Sequence, residues 1–304
     1  MNGQIVPLSK TSDVEGAPRL DASPSPPPSP IGSMLVGSGR LSTPDAQRIL
    51  DHQKKTGLLF GEAGIALGLL RDEDVRQALS TQFGHSWVPS QEVSVELDAA
   101  SRPDSVAVEH LRGLRGQLML RWFENDARHG ALAIVSPGRG EGRTYIAANL
   151  AVLFSQLGKR TLLVDADMRR PRLHRIFGLA GRVGLSAMLA GRAGNEAISL
   201  IESLPNLALL PAGVVPPNPQ ELLERTVFSG LLESWRSKYE VILLDTPAAS
   251  SCADAGTVAA RCGAALMLAC RDRSSMPQVA RLADNLRQFG VTIVGSVFNG
   301  AAKS

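Results

Sequence analysis

From residue 131 to 298 the chain repeats one pattern, a short run of apolar residues followed by a longer stretch with apolar positions at helical spacing. The runs at 131–136, 161–165, 207–211, 241–245, 264–270 and 291–298 predict strands. Ile146, Leu150, Leu153, Phe154 and Leu157 predict one face of an intervening helix. Strands that are apolar on both faces belong to a parallel sheet covered by helices on either side. The expected architecture for residues 105–304 is therefore an open, doubly wound, mainly parallel α/β sheet. Such sheets bind ligands beyond the carboxyl ends of their strands.

The pattern upstream differs. Residues 41–92 read as a small helical module. Ser42 or Thr43 caps a helix with Pro44 in its first turn and Ile49 and Leu50 inside. A second helix runs from Asp72 through Val75, Ala78 and Leu79 to Phe83, where Gly84 supplies a left-handed stop. Between them, 58–70 is apolar and glycine-rich. Residues 93–104 read as a linker. Residues 1–40 read as a disordered tail, because five of the 19 prolines fall in 23–30 and too little is apolar to offset the entropy of ordering.

Composition narrows the function classes. The 304 residues carry 32 basic and 29 acidic side chains, a net charge of +3, which gives no global case for nucleic-acid binding. Apolar runs such as 263–270 fall far short of the roughly 18 residues of a membrane span, and the first thirty residues lack a signal-peptide core. Three cysteines without CxxC spacing argue against a disulfide scaffold or a zinc site. The expectation is a soluble protein of the cytoplasm.

The chemistry gathers at strand ends. Ser136-Pro137-Gly138-Arg139-Gly140-Glu141-Gly142-Arg143-Thr144 follows the first strand and leads into a helix. Glycines turn backbone N–H groups toward a phosphate, and the helix N-terminus adds its positive end. Thr144 offers a hydroxyl to Mg²⁺, and Arg143 a cation to the β/γ oxygens. Pro137 stands at the usual first glycine and Arg143 at the usual lysine. A bulkier guanidinium makes nucleotide binding a safer expectation than turnover. The second strand ends Asp165-Ala166-Asp167, and the strand 241–245 ends in Asp245. If the second strand continued, both its acids would project to one side. Phosphoryl transfer asks for positioning, a hard cation on oxygen ligands and a proton acceptor, and Thr144, Asp165, Asp167 and Asp245 supply these.

With these motifs in order, the sequence resembles the bacterial P-loop tyrosine kinases, most closely the EpsG-type chain-length-determinant kinases of exopolysaccharide clusters. The resemblance covers 105–300 and includes GRGEGRT, DADMR, GLSAMLAG at 184–191, LLPAGVVPPNPQELL at 209–223, LLDTPA at 243–248 and GSVFNG at 295–300. It implies ATP and Mg²⁺. Gly138, Arg139, Gly140, Glu141, Gly142, Arg143, Thr144 and Tyr145 would hold the nucleotide, with Arg169 steadying phosphates or a neighbouring subunit and Asn299 meeting the adenine. Thr144, Asp165 and Asp245 would hold the metal, and Asp165 or Asp167 would accept the tyrosine proton. Glu109, Arg112 and Arg115 match the E-x-x-R-x-x-R helix through which family members assemble into rings. The resemblance further implies a membrane-embedded polysaccharide co-polymerase as activator and protein tyrosines as acceptors. Only Tyr145 and Tyr239 occur here, and neither forms the tyrosine-rich tail of the family.

Residues 59–82 resemble the repeat in N-terminal domains of type II secretion ATPases, some of which bind cyclic di-GMP. Leu59 replaces the leading arginine and Gly64 a core residue, which favours docking over dinucleotide binding. Two rival functions remain: an ATPase of the division- or partition-positioning kind, disfavoured because Gly138 occupies its signature-lysine position, and an ATP-bound scaffold without transfer.

Overall fold

In this computed structural model, residues 30–82, 94, 96–125 and 130–300 are described. Most of the proline-rich run, the expected stop at Phe83 and Gly84, and residues 301–304 lie outside them. The chain divides into two units, Met1–Ala78 and Leu79–Ser304.

The first unit holds α1 (Pro30–Gly37), α2 (Thr43–Thr56), α3 (Phe60–Ala66) and most of α4 (Asp72–Gln82). Ser42 caps α2 by accepting the N–H of Asp45, and Gly57 ends it at φ 75°. The glycines of the 58–70 stretch serve packing. A Cβ on Gly61 would lie 2.6 Å from Val75, and one on Gly64 would lie 2.5 Å from Leu70, so side chains there would push α3 off its neighbours. Residues 30–37 correct the expected tail. They form a helix because Leu35, with Leu41, is buried in one cluster with Ile49, Phe60 and Leu70.

The second unit opens with α5 (Asp98–Ser101) and α6 (Val106–Leu118), which runs into a π-helical turn, Met119–Phe123. The expected linker 93–104 is thus corrected over its second half. Leu97, Ala99 and Ala100 are buried in the main core, so this stretch packs as part of the domain. The strands are β1 (Ala131–Val135), β2 (Thr161–Asp165), β3 (Ser199–Ile201), β4 (Leu204–Leu210), β5 (Val241–Asp245), β6 (Ala264–Cys270) and β7 (Thr292–Asn299). Their order is β3-β4-β2-β5-β1-β6-β7. Every pairing is parallel except β3 with β4. The short β3 sits on the sheet edge, and with three residues, of which only Ile201 is buried, it is too short to stand out as an apolar run.

Helix α7 (Arg143–Gln156) packs with α6 and α8 (Leu173–Ile176) against one face through Leu150, Leu153, Phe154 and Leu163. On the other face, α9 (Leu185–Leu189), α10 (Pro219–Glu224), α11 (Thr226–Arg236), α12 (Asp254–Cys262) and α13 (Met276–Gln288) cover Leu162, Val164, Ile242 and Leu244. Alternate residues of β2 and β5 thus enter two different cores, which is why both strands read as uninterrupted apolar runs.

Candidate active site

The loop between β1 and α7 is held by its carbonyls. The N–H groups of Ala249 and Ser250 donate to the carbonyls of Ser136 (3.0 Å) and Pro137 (2.9 Å). Proline at 137 therefore costs the loop no bond, since its carbonyl is what these contacts use. Inside the loop, the buried Glu141 carboxylate accepts the N–H of Gly138 at 2.7 Å and the hydroxyl of Ser274 at 2.5 Å. Glu141 braces the loop, and Gly138 has no amide to spare for a phosphate. The N–H groups of Arg139, Gly140, Glu141 and Gly142 donate to no protein oxygen among the described residues. They form a set of donors at the start of a 14-residue helix, as an anion site requires.

Asn299, at the end of β7, donates to the Glu141 carbonyl at 3.1 Å and so props the loop. Gly142 has φ 99°, and a Cβ there would lie 2.4 Å from Asn299 Nδ2. Gly142→Ala is expected to cost about 1–3 kcal/mol from the backbone conformation alone. Nucleotide affinity should fall at least about tenfold as the cradle opens. Chemical denaturation and calorimetry with ATP read the two effects separately.

Across the loop, β2 and β5 pair in parallel with Asp165 opposite Asp245. Asp245 Oδ2 accepts the Thr144 hydroxyl at 2.6 Å. Asp165 Oδ2 accepts the N–H groups of Arg172 and Leu173, both at 3.1 Å. The remaining oxygen of each, Oδ1, is buried without a partner. Burial pushes Asp245 up to about 7, against the Thr144 hydrogen bond and the Arg143 charge that lower it. Burial and then the charge of Asp245 push Asp165 up as well. Two adjacent buried carboxylates with idle oxygens and a hydroxyl beside them are a donor set that fits a hard divalent cation.

The two acids of the DAD segment part company. The strand stops at Asp165, so Asp167 does not continue its face. Asp167 lies in a turn, where its Oδ1 accepts the N–H groups of Arg169 (3.2 Å) and Arg170 (2.9 Å). It lines a cleft of about 270 Å³ together with Arg139, Gly140, Gly142, Arg143, Thr144, Tyr145, Arg169, Arg170 and Arg172.

Several cations stand differently from expectation. Arg143 is turned into the loop. Its Nε donates to the Thr246 carbonyl at 2.8 Å and its Nη1 to the Gly138 carbonyl at 2.6 Å and to the Ser136 hydroxyl. Arg169 forms a bidentate pair with buried Asp254, at 2.8 and 3.1 Å. That bond holds its guanidinium firmly charged. Arg115, expected at an interface, donates to the Leu153 carbonyl near the end of α7 at 3.1 Å, and burial lowers its pKa. Arg112 pairs with Glu109 one turn away at 3.0 Å on the same helix.

Tyr145 lines the cleft but spends its hydroxyl on Asp98, at 2.7 Å. Half-burial and that carboxylate push the phenol's pKa up. With Asn149, which accepts the Ala99 N–H at 2.8 Å, it fastens α5 onto the nucleotide-side helix. Tyr145→Phe should therefore lower stability by about 1 kcal/mol, visible as a small drop in Tm.

Sequence reasoning missed Arg170, Arg172, Ser251 and Ser274. The run Arg169-Arg170-Pro171-Arg172 was the available signal for the first two, but a net charge of +3 gave no hint that cations gather on one edge of the sheet.

Residues 132–303 match the family described as CobQ/CobB/MinD/ParA nucleotide binding domain. The chain is 36% identical over 197 residues to the putative tyrosine-protein kinase EpsB of Ralstonia solanacearum, covering 65% of this chain and 26% of that protein. It is 30% identical over 198 residues to the putative tyrosine-protein kinase CapB of Staphylococcus aureus, covering 65% of this chain and 86% of that one. The solved kinase domain of the Escherichia coli tyrosine kinase ETK matches with TM-score 0.65 and 31% identity, over 69% of this chain and 82% of that one. The chain thus spans about a quarter of the length of the first of these relatives and most of the other two.

Proposed function

The chain belongs to the bacterial tyrosine kinases within the CobQ/CobB/MinD/ParA nucleotide-binding family, and on that premise we propose that it transfers phosphate from ATP to protein tyrosines in the control of exopolysaccharide chain length, polymerisation or export. The observation that carries this reading is the pair of idle carboxylate oxygens on Asp165 and Asp245 beside the Thr144 hydroxyl, facing a loop of unspent N–H groups.

Bound Mg²⁺ would neutralise charge that develops between the β- and γ-phosphates. Thr144, Asp165 and Asp245 would hold it directly or through water. The N–H groups of Arg139–Gly142 and the start of α7 would cradle the phosphates. Arg143 would exchange part of its loop contacts for phosphate oxygens. Asp165 is at the buried floor, paired across the strands with Asp245. Asp167 faces the cleft, and is therefore the carboxylate that an incoming phenol reaches and the favoured proton acceptor. Asp167→Asn should lower kcat for transfer by about 10²-fold while leaving the nucleotide Kd within a few-fold. Asp165→Asn should weaken Mg²⁺-dependent binding itself.

Acceptors would come from elsewhere. Tyr145 is committed to Asp98, and Tyr239 is half-buried. A membrane-embedded co-polymerase is the expected activator. Among the described residues no helix is long and apolar enough to cross a membrane, and residence at the cytoplasmic face through that partner is part of the proposal. Assembly through the α6 face would use the exposed Glu109–Arg112 pair, with Arg115 serving the fold. The adenine role of Asn299 remains part of the proposal, beside its bond to the loop.

One observation favours a second reading, a nucleotide-bound scaffold: the Arg143 guanidinium braces the loop through the Ser136 hydroxyl and the Gly138 and Thr246 carbonyls. Incubating the chain with ATP, Mg²⁺ and the co-polymerase's cytoplasmic segment separates the two. Phosphotyrosine on any protein establishes the kinase. Tight binding without phosphotyrosine or phosphate release establishes the scaffold, and phosphate release alone establishes a plain ATPase.

A further inference from the structure

The cleft is lined by five arginines, Arg139, Arg143, Arg169, Arg170 and Arg172, and Asp167 is the one acid among its lining residues. Three of the five are engaged: Arg143 with loop oxygens, Arg169 with Asp254, and Arg172 with Glu96 at 2.8 Å. Arg139 is exposed and gives its Nε to the Ser251 hydroxyl at 2.9 Å, a neutral partner. Arg170 is exposed, and among the described residues its guanidinium meets no carboxylate. Its backbone N–H, however, is fixed at 2.9 Å to Asp167 Oδ1. An uncommitted cation is thus anchored three residues from the carboxylate that faces the cleft.

We propose that this wall selects acceptor tyrosines with acidic neighbours, Arg170 pairing with a carboxylate close in sequence to the tyrosine. The inference rests on the kinase reading with Asp167 at the acceptor hydroxyl. An extended peptide advances about 3.3 Å per residue, so side chains one to three positions from the tyrosine fall within an arginine's reach of Asp167. Acidic flanks gain from the unpaired charge and basic flanks meet repulsion, which makes this a device of specificity and encounter rate. Of the chain's own tyrosines, Tyr145 fits it poorly, since Arg143 and Thr144 precede it, while Tyr239 stands between Lys238 and Glu240.

The test uses the full chain with Mg-ATP and synthetic tyrosine peptides identical except for flanking Glu, Gln or Lys. The Glu peptide should show a KM about five- to tenfold below that of the Gln peptide, with the gap closing at high salt. Arg170→Glu should reverse the order, and Arg170→Lys should preserve it. Equal KM values for Glu and Gln peptides, or an Arg170→Glu variant that keeps the preference, would overturn the proposal. Should no peptide be phosphorylated, the kinase reading fails by itself. Fluorescence anisotropy of the same peptides, labelled, on the Mg-ADP-loaded chain then decides the docking surface: tighter binding of the Glu peptide that Arg170→Glu abolishes supports it, and equal binding of all three ends it.

Discussion

Asp245→Asn will abolish Mg²⁺-dependent ATP binding and, in metal-free buffer, will make the chain more stable. Both effects follow from one arrangement. Asp245 and Asp165 are opposite one another on adjacent strands, buried, each with an oxygen that no protein group satisfies. Without a cation, burial penalises the charged form. Asparagine keeps an oxygen to accept the Thr144 hydroxyl but removes the charge. The expected gain is on the order of 2 kcal/mol in EDTA, against a loss of transfer of at least about 10³-fold. The pH dependence has a definite sign. Because burial raises the folded-state pKa of Asp245 from 3.8 to about 7, the folded chain holds the proton more tightly than the unfolded chain. Its contribution to stability is complete below the unfolded value and is lost as pH rises through the folded one. Denaturation in EDTA should show wild-type stability declining between those two values, more steeply than for Asp245→Asn. Wild type that gains stability over that interval relative to the variant would refute this account of the pair.

Arg143→Ala will cut phosphoryl transfer by about 10²- to 10³-fold, and Arg143→Lys will cut it by about tenfold. The guanidinium joins three oxygens from both sides of the cleft: the Thr246 carbonyl after β5, and the Gly138 carbonyl and Ser136 hydroxyl of the loop. A planar fork can hold two of these while offering a further N–H to phosphate. An ammonium carries the charge but cannot reproduce the fork, so lysine should restore part of the rate and alanine none. Phosphotyrosine formation under saturating ATP, beside the ATP Kd of each variant, separates positioning from binding. Full transfer by Arg143→Ala would show that the loop positions phosphate by its N–H groups alone.

The amino-acid pattern by itself determined the parallel sheet, because strands buried on both faces must be apolar throughout. The bounds of β2, β5 and β6 follow from the same fact. It also placed a glycine-rich loop after β1 and acids at the ends of β2 and β5. It did not reveal β3 or α5, whose burial depends on what packs over them. Leu97, Ala99 and Ala100 read as a linker until α7 supplies Asn149 and Tyr145 to fasten them.

The individual role of each charged residue was a matter for tertiary structure. Asp165 and Asp167 are equivalent as letters two apart, yet the strand ends between them, leaving one at the floor and the other in the cleft. Arg115 caps the helix end near Leu153 and Arg169 belongs to Asp254, because each partner comes from a distant segment, while among the described residues Arg170 meets no carboxylate. Sequence fixes which groups are present and the period on which they fall. Which group neutralises which depends on distances set by strand order and burial, and those exist only once the sheet is assembled.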